Sequence, residues 1–385
     1  MLPELYQKHL KTNLSQSQFL TLEILVWLLQ VHKQVKIERL AACFPLPILF
    51  ESRRRKIQSF LLLKQLALKH IWFPVIREIL SQHIKPGKRR IIALDRSQWG
   101  DNNILMVSLI WKKRALPLYW EILDKKGASN LDEQKAVISP VIELLKDSEM
   151  VVIGDREFHS IRLADWLSDQ NVLFALRQKR NTYIRQLEGD YQQLKQLGLK
   201  PGTSLFFQEA EVTKEKGFGR FNLAGYWKRK YRGKVSDEGW FILTNLPTLE
   251  KVLEVYRARM GIEAMFKDCK TGGYNLEGSK ASEQRLSSLV LLIAIAYTCA
   301  TLRGQIIKQT GQQKYISRLT EMGRLQRRHS DFWVGLYGQI WIPGMEFCWR
   351  KIQQLMALSP SHLSYYQRGL SAMSVIQKAV SSHSQ

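Results

Sequence analysis

The sequence predicts an α/β protein with helical ends, and three observations support this class. Residues 1–85 and 311–385 carry apolar residues at the spacing of amphipathic helices. Between them lie two short apolar runs, residues 91–95 and 150–155, each of which ends on an aspartate. A further stretch, residues 182–245, is rich in aromatic residues and glycine, which is typical of strands joined by turns.

The charge of the chain indicates its class of partner. Its 385 residues include 58 Lys and Arg against 34 Asp and Glu, a formal net charge of +24. This excess predicts a polyanionic partner, and both nucleic acid and an anionic membrane surface qualify. No basic low-complexity tail accounts for the charge, so we expect the cations on folded surfaces. That favours a shaped nucleic-acid surface.

Cysteine usage and hydropathy exclude several other classes. The cysteines, at positions 43, 269, 299 and 348, form no Cys-x-x-Cys pair, so neither a zinc site nor a disulfide framework is predicted. The most apolar run, residues 289–302, is too short to cross a bilayer and predicts a core helix. No cationic and apolar leader begins the chain, and we expect a reduced cytoplasmic compartment and no membrane.

The N-terminal region, residues 1–85, is predicted to be wholly helical and to bind DNA. A short helix ends near Pro45, and the cluster Arg-Arg-Arg-Lys at residues 53–56 opens the next helix. Two short helices with cations on the second resemble a helix-turn-helix. The alternative is a helical bundle with a solvated basic edge.

The first part of the core is predicted over residues 86–181. We expect strands at 91–95, 103–110 and 115–123, then a helix at 131–146, a strand at 150–155, a helix at 161–167 and a strand at 172–176. This order, with Asp95 and Asp155 ending the first and fourth strands, is the layout of the ribonuclease H-like fold. By analogy with that fold, the two strand ends lie side by side and the aspartates face a common point.

A β-rich insertion is predicted over residues 182–245, with strands at 204–212, 220–227 and 239–246. Within it, residues 226–234 interleave aromatic side chains with five cations. A groove that neutralises phosphates and stacks bases uses these residue types. A soluble strand pair with a charged outer face is the alternative.

The second part of the core, residues 246–310, begins with a predicted helix that includes residues 256–270. On one helix Tyr256, Arg259, Glu263 and Lys270 fall within roughly 60° of one another. One carboxylate, two cations and a phenol then share a stripe, although a solvated helix face remains an alternative. A helical C-terminal region follows over residues 311–385.

Three carboxylates in this arrangement predict a metal-dependent reaction. Asp95, Asp155 and Glu263 offer only oxygen donors, with no His or Cys among them, and hard cations such as Mg²⁺ prefer such a set. Two such ions about 4 Å apart can activate a nucleophile and stabilise the leaving oxygen of a phosphodiester. The predicted chemistry is therefore phosphoryl transfer.

The same residues carry a resemblance to a known family. The spacing of Tyr256, Arg259, Glu263 and Lys270 resembles the Tyr-Arg-Glu-Lys signature of the DDE transposases of the bacterial insertion-sequence-4 family. Residues 94–97, Leu-Asp-Arg-Ser, and 154–158, Gly-Asp-Arg-Glu-Phe, are similar to its two Asp motifs. The resemblance covers roughly residues 88–300 and departs at position 97, where Ser stands in place of the common Thr.

The resemblance implies a cut-and-paste transposase that acts on the terminal inverted repeats of its own element. Asp95, Asp155 and Glu263 would hold two Mg²⁺ ions, with Mn²⁺ as a substitute. Cleavage would pass through a DNA hairpin, and the freed 3′ ends would join target DNA. The implied assembly is a homodimer in a synaptic complex on double-stranded DNA, in the bacterial cytoplasm and associated with the nucleoid.

The resemblance also implies roles for five DNA-contacting residues. Tyr256, Arg259 and Lys270 would hold phosphates, and Arg177 is a further candidate contact. Trp240 would stack on a base flipped out near the hairpin, with Trp227 as its competitor. Two alternatives stay open, namely a nuclease of the same fold that cuts without joining and a non-catalytic DNA-binding derivative.

Overall fold

The computed structural model describes residues 2–84, 87, 89–99, 101–185, 189–213, 219–229, 238–320, 322 and 329–381. The chain divides into two compact units. Residues 1–79 and 267–385 form the first, which we call the helical unit, and residues 80–266 form the second, the sheet unit. The mixed α/β class predicted from the sequence is confirmed.

All strands of the described residues belong to the sheet unit. They are β1 (Arg90–Trp99), β2 (Asn102–Trp111), β3 (Arg114–Ile122), β4 (Met150–Gly154), β5 (Leu173–Arg177), β6 (Tyr183–Arg185), β7 (Gln192–Gln193), β8 (Ser204–Val212), β9 (Gly219–Tyr226) and β10 (Trp240–Thr244). They form one sheet in the order β3-β2-β1-β4-β5-β10-β9-β8-β6-β7. β1, β4 and β5 are parallel, and the other pairs are antiparallel.

The helices of the described residues follow in chain order. They are α1 (Glu4–Asn13), α2 (Gln16–His32), α3 (Ile37–Cys43), α4 (Phe50–Phe60), α5 (Leu68–His83), α6 (Leu131–Leu144), α7 (Ile161–Asp169), α8 (Leu249–Arg257), α9 (Met260–Cys269), α10 (Glu283–Gln309), α11 (Gln313–Ile316), α12 (Asp331–Phe347), α13 (Trp349–Ala357) and α14 (Leu363–Ser381). The boundary between the units falls inside α9. In the described part of residues 1–85, every regular element is a helix.

The helical unit is built around α10. This helix is apolar on all sides and contacts α2, α12 and α14. Among the described residues, it is the one helix long and apolar enough to cross a membrane by length and composition, and 89% of its most apolar window is buried inside the protein. Two of its buried polar side chains are hydrogen-bonded to other helices of the unit. Tyr6 donates to Thr298 at 2.8 Å, and Arg303 donates to Gln339 at 2.6 Å.

The two N-terminal helices predicted as a helix-turn-helix pack on each other as α3 and α4. Arg53 donates to the backbone carbonyl of Phe44 at 3.3 Å, which ties α4 to the end of α3. Arg55 is exposed on α4. DNA binding by this pair stays a prediction.

In the sheet unit, the strand predictions agree with the structure to within a few residues for all but β1. The short strands β6 and β7 were not predicted, because three and two residues carry too little pattern. The strands of segment 182–245 continue the same sheet, since β10 pairs with β5 through Ile242 and Arg177. This segment has its own apolar cluster, which includes Ile184, Leu223 and Phe241.

One strand prediction was wrong in its extent. β1 does not end at Asp95 but runs to Trp99, because the hairpin with β2 keeps it extended as far as the pair Trp99 and Asn102. Its parallel pairing with β4 does end at Leu94 and Gly154. Asp95 therefore lies inside β1, at the point where β1 leaves β4.

Candidate active site

Asp95 and Asp155 lie next to each other, just beyond the point where the parallel pairing of β1 with β4 ends. Leu94 of β1 pairs with Gly154 of β4, and each aspartate is the residue that follows one member of this pair. The backbone N–H of Arg96 donates to Asp95 Oδ1 at 2.8 Å, and that of Glu157 donates to Asp155 Oδ1 at 2.8 Å. These bonds orient both carboxylates at the same edge of the sheet.

The surroundings of Asp95 disfavour its charged form. Burial, together with the nearby carboxylates of Asp155 and Glu263, raises the pKa of Asp95 to about 6. The Arg96 backbone donor and the Arg259 guanidinium act in the opposite direction. The carboxylates of Asp155 and Glu263 are therefore both close enough to repel a charged Asp95, and a bound cation would relieve that repulsion.

The helix predicted over residues 256–270 is broken, which corrects the prediction of a continuous stripe. α8 ends at Arg257 and α9 begins at Met260. Four i to i+3 hydrogen bonds, donated by the N–H groups of Ala258, Arg259, Gly261 and Ile262, tighten the chain between the two helices. A turn of this kind has about three residues per turn and brings positions i and i+3 onto one side. Tyr256 and Arg259 therefore stay together despite the break.

Close packing against β3 accompanies this break. A Cβ atom on Gly261 would lie 2.8 Å from the backbone oxygen of Arg114, so only glycine fits there without a shift. The start of α9 is thus held against the start of β3, with Ile262 and Met265 buried beneath it. This packing presents Glu263 on the exposed side of α9.

Arg259 is the cation that interacts with all three candidate carboxylates. It donates to Glu263 Oε1 at 2.5 Å, and its side chain is mostly buried. Burial lowers its pKa, but Tyr256, Glu263, Asp95 and Asp155 outweigh that effect, and the net shift of the pKa is upward. Burial raises the pKa of Tyr256, with Arg259 and Arg177 opposing that rise. Three carboxylates thus act on one guanidinium.

The fourth residue of the predicted stripe is placed differently. Lys270 follows the last residue of α9 and belongs to the helical unit, where its Nζ lies 2.7 Å from Glu277 Oε1. Its proposed contact with phosphate stays a prediction.

Arg96 and Glu157 connect the two segments that carry the aspartates. Arg96 Nε contacts both oxygens of Glu157, at 3.0 and 2.8 Å, and both side chains are largely buried. Glu157 also accepts from the backbone N–H and the hydroxyl of Ser129, at 2.9 and 2.7 Å. Since Arg96 follows Asp95 and Glu157 lies two residues after Asp155, this ion pair restrains the separation of the aspartates.

Trp240 lies at the edge of a pocket of about 470 Å³, and its neighbours are aromatic or charged. The pocket is lined by Tyr226, Lys228, Glu238, Trp240 and Arg257. The ring of Trp240 meets the edge of Tyr256 at 5.1 Å between centroids and lies 5.9 Å from Tyr226. Arg257 sits 5.0 Å above the Tyr226 ring. Of the basic and aromatic run predicted to bind DNA, residues 226–234, the part from 230 to 234 lies outside the described residues.

Trp227 faces the other side of the sheet. Trp240 pairs with Tyr226, and side chains alternate along a strand, so the next residue, Trp227, points away. A Cβ atom on Gly239 would lie 3.2 Å from Trp227 Cβ and 2.6 Å from Leu199, which places Trp227 beside the apolar cluster of the segment. Trp240 is thus the tryptophan of the two that lies near Tyr256.

Arg177 is engaged with an acidic residue that the sequence did not indicate. Its Nη2 donates to Glu238 Oε1 at 2.6 Å, and Arg156 Nη1 lies 2.8 Å from the same oxygen. Glu238 follows a run of cations and is 61 residues away from Arg177. No local pattern predicts such a pair. Arg96, Glu157 and Arg156 could have been suspected only from their position beside the aspartates.

The donor set fits a hard divalent cation only after one rearrangement. Within the described part of the chain, no three His, Cys, Asp or Glu side chains form a ready metal cluster. Asp95 and Asp155 supply adjacent oxygens, whereas the oxygen of Glu263 is turned to Arg259. Because Glu263 is exposed and paired through one contact, a cation can compete for it.

A model of a known protein family matches the middle of the chain. Residues 127–299 match the family model described as "Transposase DDE domain", and this segment contains Asp155 and Glu263 but not Asp95. The match supports a DDE transposase. No curated protein sequence matches the chain.

Two similar solved structures have low scores. One is a piggyBac transposase synaptic complex with hairpin DNA, at 13% identity and a TM-score of 0.44, with 85% of this chain and 71% of that chain covered. The other is Marinitoga piezophila Argonaute with guide RNA and target DNA, at 12% identity and a TM-score of 0.25, covering 49% of this chain and 30% of that chain. At these scores neither alignment carries an argument about function.

Proposed function

We propose that this chain is a DDE transposase of the bacterial insertion-sequence-4 family, which binds terminal inverted repeats, cleaves DNA and transfers the strands to a target. The observation that carries the proposal is the convergence of Asp95, Asp155 and Glu263 around Arg259. The spacing of the Tyr-Arg-Glu-Lys residues and the match of residues 127–299 support it.

The catalytic core in this proposal is ribonuclease H-like. The order β3-β2-β1-β4-β5, with β1, β4 and β5 parallel, supports it. The position of the two aspartates beyond the carboxyl ends of the paired segments of β1 and β4 supports it as well. The proposed division of the chain stays that of the sequence, with a DNA-binding region over 1–85, a core interrupted by the 182–245 insertion, and a C-terminal region from residue 311.

Asp95, Asp155 and Glu263 would hold Mg²⁺, or Mn²⁺ in its place, as a pair of ions. Bound ions supply Lewis acidity at the attacking and leaving oxygens of a phosphodiester. Tyr256 and Arg259 would contact phosphates, Arg259 by charge and Tyr256 through its hydroxyl. Lys270 and Arg177 complete the proposed set of phosphate contacts.

Two ends must be cut together, so the proposed assembly is a homodimer that holds two repeats in a synaptic complex in the cytoplasm, on nucleoid DNA. The proposed cleavage passes through a DNA hairpin. Trp240 would stack on the base that leaves the helix there, beside Tyr226 and Tyr256.

The test of this function starts from the DNA that flanks the reading frame. We expect inverted repeats there, bounded by short direct repeats, and a duplex with such an end is the substrate. With Mg²⁺, the purified chain is expected to nick this duplex, form a hairpin and join the end to a target plasmid. Nicked products without joining would indicate the nuclease instead, and binding without cleavage would indicate the non-catalytic derivative.

Trp240→Ala is expected to impair hairpin formation more than first-strand nicking. Stacking of one base on an aromatic ring contributes about 1–3 kcal/mol, so hairpin yield should fall by roughly 5- to 150-fold. The two products are separated on a denaturing gel. Trp227→Ala is the matched control, since that ring faces the apolar cluster, and it should alter both steps alike. An equal loss of both steps in Trp240→Ala would count against stacking.

Arg96→Gln is expected to weaken metal binding without weakening DNA binding. Loss of the ion pair with Glu157 lets the two aspartates separate, and support groups of this kind typically change metal affinity by about 10- to 100-fold. The measurement is the Mn²⁺ concentration at half-maximal thermal stabilisation, together with the DNA dissociation constant. Lys126→Gln breaks an exposed ion pair with Asp101 in the same unit and should change neither. Unchanged Mn²⁺ affinity in Arg96→Gln would contradict the positioning role.

A further inference from the structure

Glu238 occupies a point where two arginines converge. Arg177 and Arg156 both contact its Oε1, at 2.6 and 2.8 Å. The Arg177 side chain is only 15% exposed and Glu238 is 23% exposed, whereas Arg156 is 50% exposed. The carboxylate is thus shared by two guanidinium groups, one largely buried and one open to solvent. One carboxylate oxygen, Glu238 Oε1, accepts from both arginines.

The neighbourhood of Glu238 suits an anion of nucleic acid more than it suits an acidic side chain. Of the described residues that line the adjoining pocket, Glu238 is the single acid, alongside Lys228, Arg257, Tyr226 and Trp240. Cations bind phosphates and aromatic rings stack on bases, so these lining groups match the two parts of a nucleotide.

The two arginines also adjoin the candidate catalytic residues. Arg156 is the residue after Asp155, and Arg177 lies close enough to Tyr256 for its charge to oppose the rise that burial causes in the pKa of Tyr256. A phosphate held between Arg156 and Arg177 would therefore lie within the site that contains Asp155 and Tyr256. The pair is positioned to hold the DNA backbone beside the reacting strand.

We propose that Arg156 and Arg177 form a phosphate-binding site for DNA, and that in the DNA-free chain the carboxylate of Glu238 fills this site in place of the phosphate. The proposal rests on the proposed function, because it names a subsite of the same active site. A carboxylate and a phosphodiester each carry one negative charge and offer two oxygens to arginine N–H groups. On binding, one anion replaces the other, and Glu238 moves away from the two arginines.

The exchange of Glu238 for phosphate predicts whether Glu238→Gln strengthens or weakens DNA binding. If Glu238 competes with phosphate, its neutral isostere glutamine should strengthen DNA binding, because the arginines lose a charged partner. If Glu238 only braces the two arginines, the same substitution should weaken DNA binding, because the arginines lose their restraint. The sign of the change separates the two roles.

The first experiment measures DNA affinity by fluorescence anisotropy, with the full-length chain, a duplex and no divalent metal. Glu238→Gln is expected to bind about three- to tenfold more tightly than the wild type. Glu254→Gln, an exposed site on α8, makes the same change of net charge and should alter affinity by less than about twofold. Arg156→Gln should bind more weakly, and in that background Glu238→Gln should yield little gain.

The second experiment needs neither DNA nor catalysis. Pyrophosphate is titrated against the purified chain, and the melting temperature is recorded. Glu238→Gln should show a clear rise in melting temperature that the wild type shows only weakly, and Arg156→Gln should abolish the rise. Arg156 is exposed, so this variant should fold even if Glu238→Gln is unstable.

Weaker or unchanged DNA binding in Glu238→Gln, with no pyrophosphate effect, would overturn the phosphate site. That result would leave the transposase proposal intact if Asp95→Asn still abolishes DNA cleavage. Conversely, a pyrophosphate effect with no DNA cleavage by the wild type would support the anion site and contradict the transposase.

Discussion

Replacement of Asp95 by asparagine is expected to reduce DNA cleavage and strand transfer by about a thousandfold or more. Metal ions at such a site stabilise the transition state by several kcal/mol, and asparagine removes the charge that holds them while keeping the shape of the side chain. Asp155→Asn and Glu263→Gln should have losses of similar size. DNA binding without metal should change little.

The same variant carries a second readout that does not depend on activity. The pKa of Asp95 in the folded chain is about 6, above its ordinary value of 3.8. A raised pKa means that the folded state binds the proton more tightly, so the stability from this group is present at low pH and is lost as the pH rises through 6. At pH 7.5 the ionised carboxylate therefore destabilises the fold, by at most about 3 kcal/mol.

Asp95→Asn should consequently raise the melting temperature of the metal-free protein at pH 7.5 and have little effect at pH 3.5. Mg²⁺ or Mn²⁺ should raise the melting temperature of the wild type much more than that of Asp95→Asn. Glu254→Gln serves as the charge control. Full cleavage activity in Asp95→Asn, or an undiminished metal-dependent shift, would show that the metal site lies elsewhere.

The second large effect is expected in the helical unit, where α10 and α12 cross with their backbones in contact. A Cβ atom on Gly335 would lie 1.8 Å from the carbonyl oxygen of Ala300, and one on Gly304 would lie 1.8 Å from that of Asp331. Backbone atoms cannot rotate aside, so Gly335→Ala must force the helices apart and open the packing around Phe332 and Val334. We expect a loss of at least about 3 kcal/mol of unfolding free energy.

Thermal and urea unfolding followed by circular dichroism measure this loss. Gly344→Ala is the matched control on the same helix, because nothing lies within 4 Å of its Cβ position. That change should be neutral or should stabilise the protein by about 0.5–1 kcal/mol, since alanine favours a helix over glycine. If Gly335→Ala unfolded at the same temperature as the wild type, the close crossing of α10 and α12 would be contradicted.

Much of the fold could be predicted because its signals are local. β4 and β5 are short and mostly buried, and their apolar runs are typical of the central strands of a parallel sheet. The start of α6 is set by a capping box in which Asn130 and Glu133 satisfy each other's backbone groups. Such signals lie within a few residues of one another, so they can be read without knowledge of the partner elements.

Some residues of the candidate site likewise have local sequence signals, whereas others are defined only by contacts between distant segments. Asp95 and Asp155 could be chosen from the sequence because each follows an apolar run, and Glu263 because of its spacing from Tyr256 and Arg259. Glu238 could not be chosen, because its arginine partners come from β5 and from the turn after β4. The network of Arg96, Glu157 and Ser129 likewise joins segments that are distant in the chain.

The segment from Tyr256 to Lys270 shows both what the sequence predicts and what it leaves to the tertiary structure. By itself the sequence determined that this segment is mainly helical and that Tyr256, Arg259 and Glu263 share a side, because these properties follow from spacing. The tertiary structure alone decided that the helix breaks after Arg257, that its second half is pressed against Arg114 through Gly261, and that Lys270 pairs with Glu277. The reason is physical, since spacing sets directions along one element, whereas contacts depend on which other elements are packed beside it.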